Sequence, residues 1–236
     1  MPSNGHLPPV PTRAELEAAG IRIVVGVPLE RTVPDVAFLA LWKVAQRGWP
    51  LFEIGYGRVD VNRNKMARKL LDSDYTHLMM LDLDQIHAPD IVERQARWVL
   101  DDPQRQVISG LHFRRGEPFD PLMFLYGPDG QARSMLEWPQ GLIEVHAVGH
   151  GSLLVQRSVF EQLAPPWWGY DYGQAAEGVY PTEDMYFCWL CREAGIALWC
   201  DTTTSSPHLI NNVVTEEVFR SWIKAHPDKI LIEKEA

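Results

Sequence analysis

Hydrophobic positions in the first half of the chain alternate between short β-branched runs and stretches of three- and four-residue periodicity. Residues 21–27, Ile-Arg-Ile-Val-Val-Gly-Val, form an apolar run that stops at Pro28, as a buried strand does. From 34 to 46 the apolar Phe38, Leu41, Trp42 and Ala45 recur at helical steps. Val36 and Leu39 widen that predicted buried face, and Gly48-Trp49-Pro50 ends the helix. A short strand is predicted at 51–54, then a helix capped by Asn62 and running to about 71. Its inner side would carry Met66, Ala67, Leu70 and Leu71, and its outer side Arg63, Lys65, Arg68 and Lys69. A strand at 76–81, a helix opening at Pro89 and a strand at 107–111 complete the alternation. Strand-helix alternation of this kind predicts an α/β protein with a mainly parallel, doubly wound sheet covered on both faces.

Beyond about residue 115 the grammar changes. Short strands are predicted at 121–126, 142–148 and 152–155, with a brief helix opened by a Ser158-to-Glu161 capping box. The stretch 164–173 holds too many Pro, Gly and aromatic residues for a regular element. Helix returns at 182–194, a strand at 196–200, and a last helix from Thr215. This is the pattern of a smaller, mixed β/α half. Residues 1–20 contain four prolines and no sustained period, so they read as an N-terminal extension to one domain spanning 21–236.

Composition narrows the class. With 46% hydrophobic and 22% charged residues in 236, the chain can bury a core, which excludes disorder, collagen-like repeats and a pure coiled coil. A net charge of -9 argues against tracking nucleic acid or an anionic membrane over the whole surface, but leaves room for a local basic pocket. No apolar run approaches the roughly 18 residues of a membrane span, and MPSNGHLPPVPTR has neither a basic nor a hydrophobic leader region, so a soluble, cytoplasmic protein is expected. Three cysteines, Cys188, Cys191 and Cys200, suit a reducing compartment. Cys188-x-x-Cys191 lies in a helix-like run with no second pair to complete a zinc site, so core thiols are expected.

The sharpest chemical feature is Asp82-Leu83-Asp84, just beyond the strand THLMML. In extended chain, residues two apart point the same way, so both carboxylates can face one point at the carboxyl end of a parallel sheet, where open α/β sheets bind ligands. Two hard oxygen anions there suit Mg²⁺ or Mn²⁺, whose shells are usually finished by substrate phosphates. The alternative is a solvated Asp turn. Glu183 and Asp184 open a helix, where acidic residues are favoured by the dipole alone. His208 follows a strand in an irregular stretch and reads as a loop residue, a core residue or a ligand. In the basic cluster Arg58, Arg63, Lys65, Arg68 and Lys69, mostly a wet helix face, Arg63 is the one placed to reach a phosphate or base.

Taken in order, the strand and loop at Val25–Pro28, Asn62-Arg63-Asn64, Asp82-x-Asp84, the segment VGHGSLLVQRSVFEQL, Glu183-Asp184 in YPTEDMYFCWLCREAGIALWCD, then Asp201 and His208 resemble a GT-A-fold glycosyltransferase. The likeness is to small enzymes related to glycosyltransferase family 2, over about residues 21–210. It implies a nucleotide-binding half at 21–115 and an acceptor half with a C-terminal helix at 116–236. It further implies a nucleoside-diphosphate-sugar donor and Mn²⁺ or Mg²⁺. By the same resemblance Asp82 approaches the ribose or the metal, Asp84 binds the ion, and His208 closes its shell. Asp184 takes the proton from the acceptor hydroxyl in an inverting transfer, with Glu183 as the fallback. Pro28, Glu30, Arg31 and Arg63 surround the nucleotide. Trp168 and Tyr170, in the aromatic loop, are expected to stack on sugar or acceptor unless they simply cover the core's edge, and His112 to line the same side.

Two other classes compete. Nucleotidyl transfer also uses paired acidic metal ligands, but normally with a Gly-rich loop and a Lys, and VGVPLERTVP has neither. A nucleotide-sugar-binding module without chemistry would be expected to lack some of Asp84, Asp184 and His208, and all three are present. The acceptor, whether glycan, small molecule, protein or modified nucleic-acid base, is not written in these residues.

Overall fold

The structure, a computed structural model, describes residues 7–28, 34–52, 57–170, 182–209 and 213–227. The elements are α1 (Arg13–Ala18), β1 (Ile23–Gly26), α2 (Asp35–Ala45), β2 (Leu51–Phe52), α3 (Val59–Leu71), β3 (His77–Leu81), α4 (Ile91–Asp101) and β4 (Val107–Leu111). Then come β5 (Met123–Tyr126), β6 (Ala132–Ser134), β7 (Leu142–Val145), β8 (Ala147–Val148), β9 (Ser152–Gln156) and α5 (Arg157–Gln162). The chain continues through α6 (Glu183–Glu193), β10 (Leu198–Ser205), β11 (His208–Leu209), β12 (Val213–Val214) and α7 (Glu216–Ala225).

A seven-stranded sheet in the order β2-β1-β3-β9-β4-β10-β7 forms the centre. β2, β1, β3, β4 and β10 run one way, while β9 and β7 run against them. β1, β3 and β4 are buried along their whole length, which is why they read as continuous apolar runs rather than alternating ones. One apolar cluster, including Met66, Leu70, Leu78, Phe160 and Phe187, packs on one face of the sheet. A second, including Leu16, Val44, Met79, Val92 and Trp98, packs on the other. A three-stranded sheet, β6-β5-β8, builds the smaller half.

The antiparallel β9 fixes the site. It lies between β3 and β4 with Leu81 opposite Ser152, so the carboxyl end of β3 meets the start of β9. The peptide N–H of Asp82 donates to Gly151 O at 2.8 Å, and this brings His150 beside the acidic turn. The chain leaving β10 then doubles back: Gln85 pairs with His208, and Leu209 N–H donates to Asp84 O at 2.7 Å. Two segments more than 120 residues apart in sequence are thereby stitched edge to edge.

Several expectations need correction. In α2 the large apolar residues Val36, Phe38, Leu39 and Trp42 point outward, and Ala37, Ala40 and Val44 face the core. Asn62 does not cap α3. The helix starts at Val59, and Asn62 is buried inside its first turn, with Nδ2 donating to Gly57 O at 3.2 Å. Arg63 is not on the outer face but buried, where three carboxylates from the turn after β3 and from α6 face it. The Ser158–Glu161 capping box is absent: α5 begins one residue earlier, Glu161 pairs with Arg157, and Ser158 Oγ accepts from Gln106. Within the N-terminal stretch, Thr12 and Glu15 form a capping box that starts α1, and Leu16 reaches the core.

Candidate active site

A cavity of about 370 Å³ opens at the carboxyl end of β3. Its lining includes Pro28, Arg63, Asp82, Asp84, Glu183, Asp184 and His208, all singled out from the sequence. Glu30 and Arg31 lie outside the described residues.

Arg63 is the hub. From the first turns of α3 its Nη2 donates to both oxygens of Asp82, at 3.1 and 3.0 Å. Its Nη1 donates to Glu183 Oε1 at 2.9 Å and also to Asp184 Oδ1. Burial alone would lower the pKa of this guanidinium, but Asp184, Asp82 and Glu183 reverse that and raise it, so the charge is permanent. The expected free phosphate-binding arginine is instead a structural cation shared by three carboxylates. Asp82, losing solvent, has a raised pKa that Arg63 only partly offsets.

Thr182 caps α6, its side chain accepting from Met185 N–H, and so places Glu183 and Asp184 at the helix start. The two carboxylates are driven apart. Burial and then the neighbouring Asp184 raise the pKa of Glu183, whose Oε2 accepts from the Tyr170 hydroxyl at 3.0 Å. Burial would also raise Asp184, but Arg63 and then His150 more than offset it and hold Asp184 well below the usual carboxylate range.

Asp84 pairs with Arg115 at 2.9 Å, an arginine whose side chain is 59% exposed and therefore able to withdraw. His208 Nδ1 lies against the carbonyl oxygen of Phe113, which can only accept, so Nδ1 carries the proton. That leaves Nε2 with a lone pair, which takes an N–H from Gln85 Nε2 at 2.8 Å. Gln85 Oε1 is buried without a partner among the described residues. His87, which the sequence did not flag, holds the turn: Nε2–H donates to Asp82 O at 2.8 Å, and Nδ1 faces Ser206 Oγ at 2.9 Å.

Not every expected residue faces the cavity. Trp168 is 1% exposed, stacked on Phe187 at 4.6 Å, and its loop is pinned to α3 by Asn64, whose Nδ2 donates to Trp168 O at 2.6 Å. Both of its faces serve the core, so the stacking role is corrected to a packing one. His112 is likewise buried, its Nε2 accepting from Ser152 N–H at 3.0 Å; burial pushes its pKa down to about 3, and it braces β9 rather than lining the cavity. Tyr170 is only partly buried, touches Glu183 and lies under the Arg58 guanidinium at 5.1 Å. His150, named in the sequence only as part of VGHG, is a site residue: it lines the cavity, and its peptide N–H donates to Asp184 Oδ2 at 3.2 Å. The signal was a polar residue between two glycines at a strand start.

All three cysteines are buried and free, as expected of core thiols. Among the described residues no group of three His, Cys, Asp or Glu is already arranged as a metal cage. Nor is any helix of the described residues long and apolar enough to cross a membrane.

The central sheet, the acidic turn beyond β3 and the smaller antiparallel sheet make this a GT-A-type α/β fold. No family model matches the chain, and no curated protein matches it in sequence. Solved structures match the fold. A197 from STIV overlays with a TM-score of 0.59 at 17% identity, over 80% of this chain and 86% of that chain. CMP:2-keto-3-deoxy-manno-octonic acid synthetase, solved with CTP, overlays at 0.50 and 12% identity, over 89% of this chain and 100% of that chain. Glucosyl-3-phosphoglycerate synthase from Mycobacterium tuberculosis, solved with Mn²⁺, UDP-glucose and phosphoglyceric acid, gives a TM-score of 0.49 at 13% identity, over 96% of this chain and 86% of that chain. That overlay is too loose to bear on this chain's chemistry.

Proposed function

We propose that the protein transfers a sugar from a nucleoside-diphosphate sugar to an acceptor hydroxyl, with a divalent cation and with inversion at the anomeric carbon. The observation that carries this reading is the shared cavity: Asp82 and Asp84 from one half and Glu183, Asp184 and His208 from the other line a single space at the sheet's carboxyl edge. Residues 21–115 would hold the nucleotide, Pro28 being at the cavity wall and Glu30 and Arg31 following it, and 116–236 the acceptor.

The donor set fits Mn²⁺ or Mg²⁺. Among the described residues the Asp84 carboxylate pairs with an exposed arginine, and His208, with Nδ1 anchored on a backbone carbonyl, would offer its Nε2 lone pair to an ion once Gln85, which donates to it here, turns aside. Asp82, held on both oxygens by Arg63, suits the ribose better than the ion. A cation held by Asp84 and His208 supplies Lewis-acid stabilisation of the departing diphosphate.

In the transfer, the bond from anomeric carbon to phosphate oxygen breaks, the bond to the acceptor oxygen forms, and the acceptor proton passes to Asp184. A carboxylate held this low is a weak base towards a free hydroxyl, so it takes the proton late, once bonding to the sugar has made the hydroxyl acidic. Glu183 supports Arg63 and orients Tyr170 on the acceptor side.

Nucleotidyl transfer is the second reading, favoured by the overlay with the CTP-bound synthetase at the level of fold. Against it, no lysine lines the cavity among the described residues. Incubation with UDP-, GDP-, CMP- and TDP-sugars plus Mn²⁺ tests the proposal: one donor should raise the melting temperature and release its nucleotide. Pyrophosphate released from a nucleoside triphosphate would instead establish nucleotidyl transfer.

A further inference from the structure

The imidazole of His150 is buried between α6 and the aromatic loop, edge-on to Phe187 and Trp168. Its Nδ1 lies 3.1 Å from Trp168 Nε1 and also 3.1 Å from Asp184 Oδ1. An indole N–H only donates and an ionised carboxylate only accepts, so one ring nitrogen cannot serve both. With a proton, Nδ1 donates to Asp184 and leaves the indole N–H without an acceptor. Without one, it accepts from Trp168 through its single in-plane lone pair and has no proton left for the carboxylate. Nε2 stays against Cys188 Sγ at 3.5 Å in either state, and the peptide N–H of His150 keeps its bond to Asp184 Oδ2. The carboxylate therefore stays in place while its charge partner changes.

We propose that His150 is a positioning residue that latches Asp184 through the Nδ1 proton, and that loss of this proton to solvent, with Nδ1 turning to Trp168, releases Asp184 as the base. The inference rests on the role proposed for Asp184. The groups facing the imidazole are Asp184 and Cys188 of α6; Arg63 donates to the same Asp184 oxygen that faces His150 and is shared with Glu183, and His112 stands near enough to Asp184 to feel its charge. Burial lowers the pKa of His150, but Asp184 and then Cys188 outweigh it and push it up to about 9. The latch is closed at neutral pH and opens as pH rises through that range.

Nitrogen-15 NMR of histidine-labelled full chain, with no donor present, reads the latch directly. His150 Nδ1 should lose its proton near pH 9, more than one unit lower in Asp184→Asn, and higher in Trp168→Phe, where the bare nitrogen has no donor. A His150 that titrates below pH 7, or one unmoved by Asp184→Asn, overturns the proposal. In the transfer assay the wild-type rate should climb several-fold towards pH 9, and His150→Gln should abolish that climb; an unchanged climb in His150→Gln also overturns it. Absence of transfer with every donor would sink the proposed function, whereas the NMR result decides the latch without it.

Discussion

Arg63 donates from a single nitrogen to both carboxylate oxygens of Asp82, and the other nitrogen of the same guanidinium reaches Glu183 and Asp184. One buried cation thus joins the acidic turn after β3 to the first turn of α6. Removing one partner from a buried charge cluster costs about 3–5 kcal/mol, since the remaining charges lose their compensation. Arg63→Met should therefore lose about 3 kcal/mol or more in urea unfolding. A loss below about 1 kcal/mol would show that water already screens the cluster.

The two carboxylates in the first turn of α6 should separate kinetically. Asp184→Asn is expected to keep donor binding by calorimetry while transfer falls about 10²–10⁴-fold, the usual worth of a general base. Glu183→Gln should lower transfer less. If Asp184→Asn turns over normally, the base is elsewhere.

Gly151 is required by its neighbour. A Cβ there would sit 1.9 Å from Gln85 Nε2, so Gly151→Ala must push Gln85 off His208. Overpacking of this kind costs about 1–3 kcal/mol. Urea unfolding should show that loss, and the His208 imidazole resonance should shift with it; an unmoved resonance would mean Gln85 does not hold the ring.

The buried histidines set opposite pH trends. Burial lowers His77 and His87 to about 4 and His112 to about 3, from 6.5. They are neutral in the fold but take protons when unfolded, so their stabilisation is present above about pH 6.5 and lost as pH falls towards 4. His150 is raised, so its contribution is full below about 6.5 and lost as pH climbs to about 9. The melting temperature should peak between about pH 6 and 7, and His150→Gln should flatten the alkaline fall.

Much of this was legible because it is local. The apolar runs that became β1, β3 and β4 and the acidic turn after β3 depend only on near neighbours in sequence. The face of α2 was not legible. Its periodicity contains two stripes, one large and one small, and only the tertiary packing decides that Ala37 goes inward while Phe38 and Trp42 stay about 55% exposed. Trp42→Ser should thus change stability by no more than about 0.5 kcal/mol, while Ala37→Leu should cost about 1–3 kcal/mol. Arg63 and His150 were illegible for another reason. Their partners lie 18 to 121 residues away, and a basic residue on a periodic helix looks solvated until the fold delivers its carboxylates.

The most direct test of the central claim is manganese binding measured by electron paramagnetic resonance, with the full chain and each of UDP, GDP and TDP. The wild type should bind Mn²⁺ in the presence of one nucleotide, and Asp84→Asn and His208→Ala should each weaken it by about tenfold or more, about 1.4 kcal/mol. Binding that is unchanged in both variants would contradict a cation held between the two halves of the molecule.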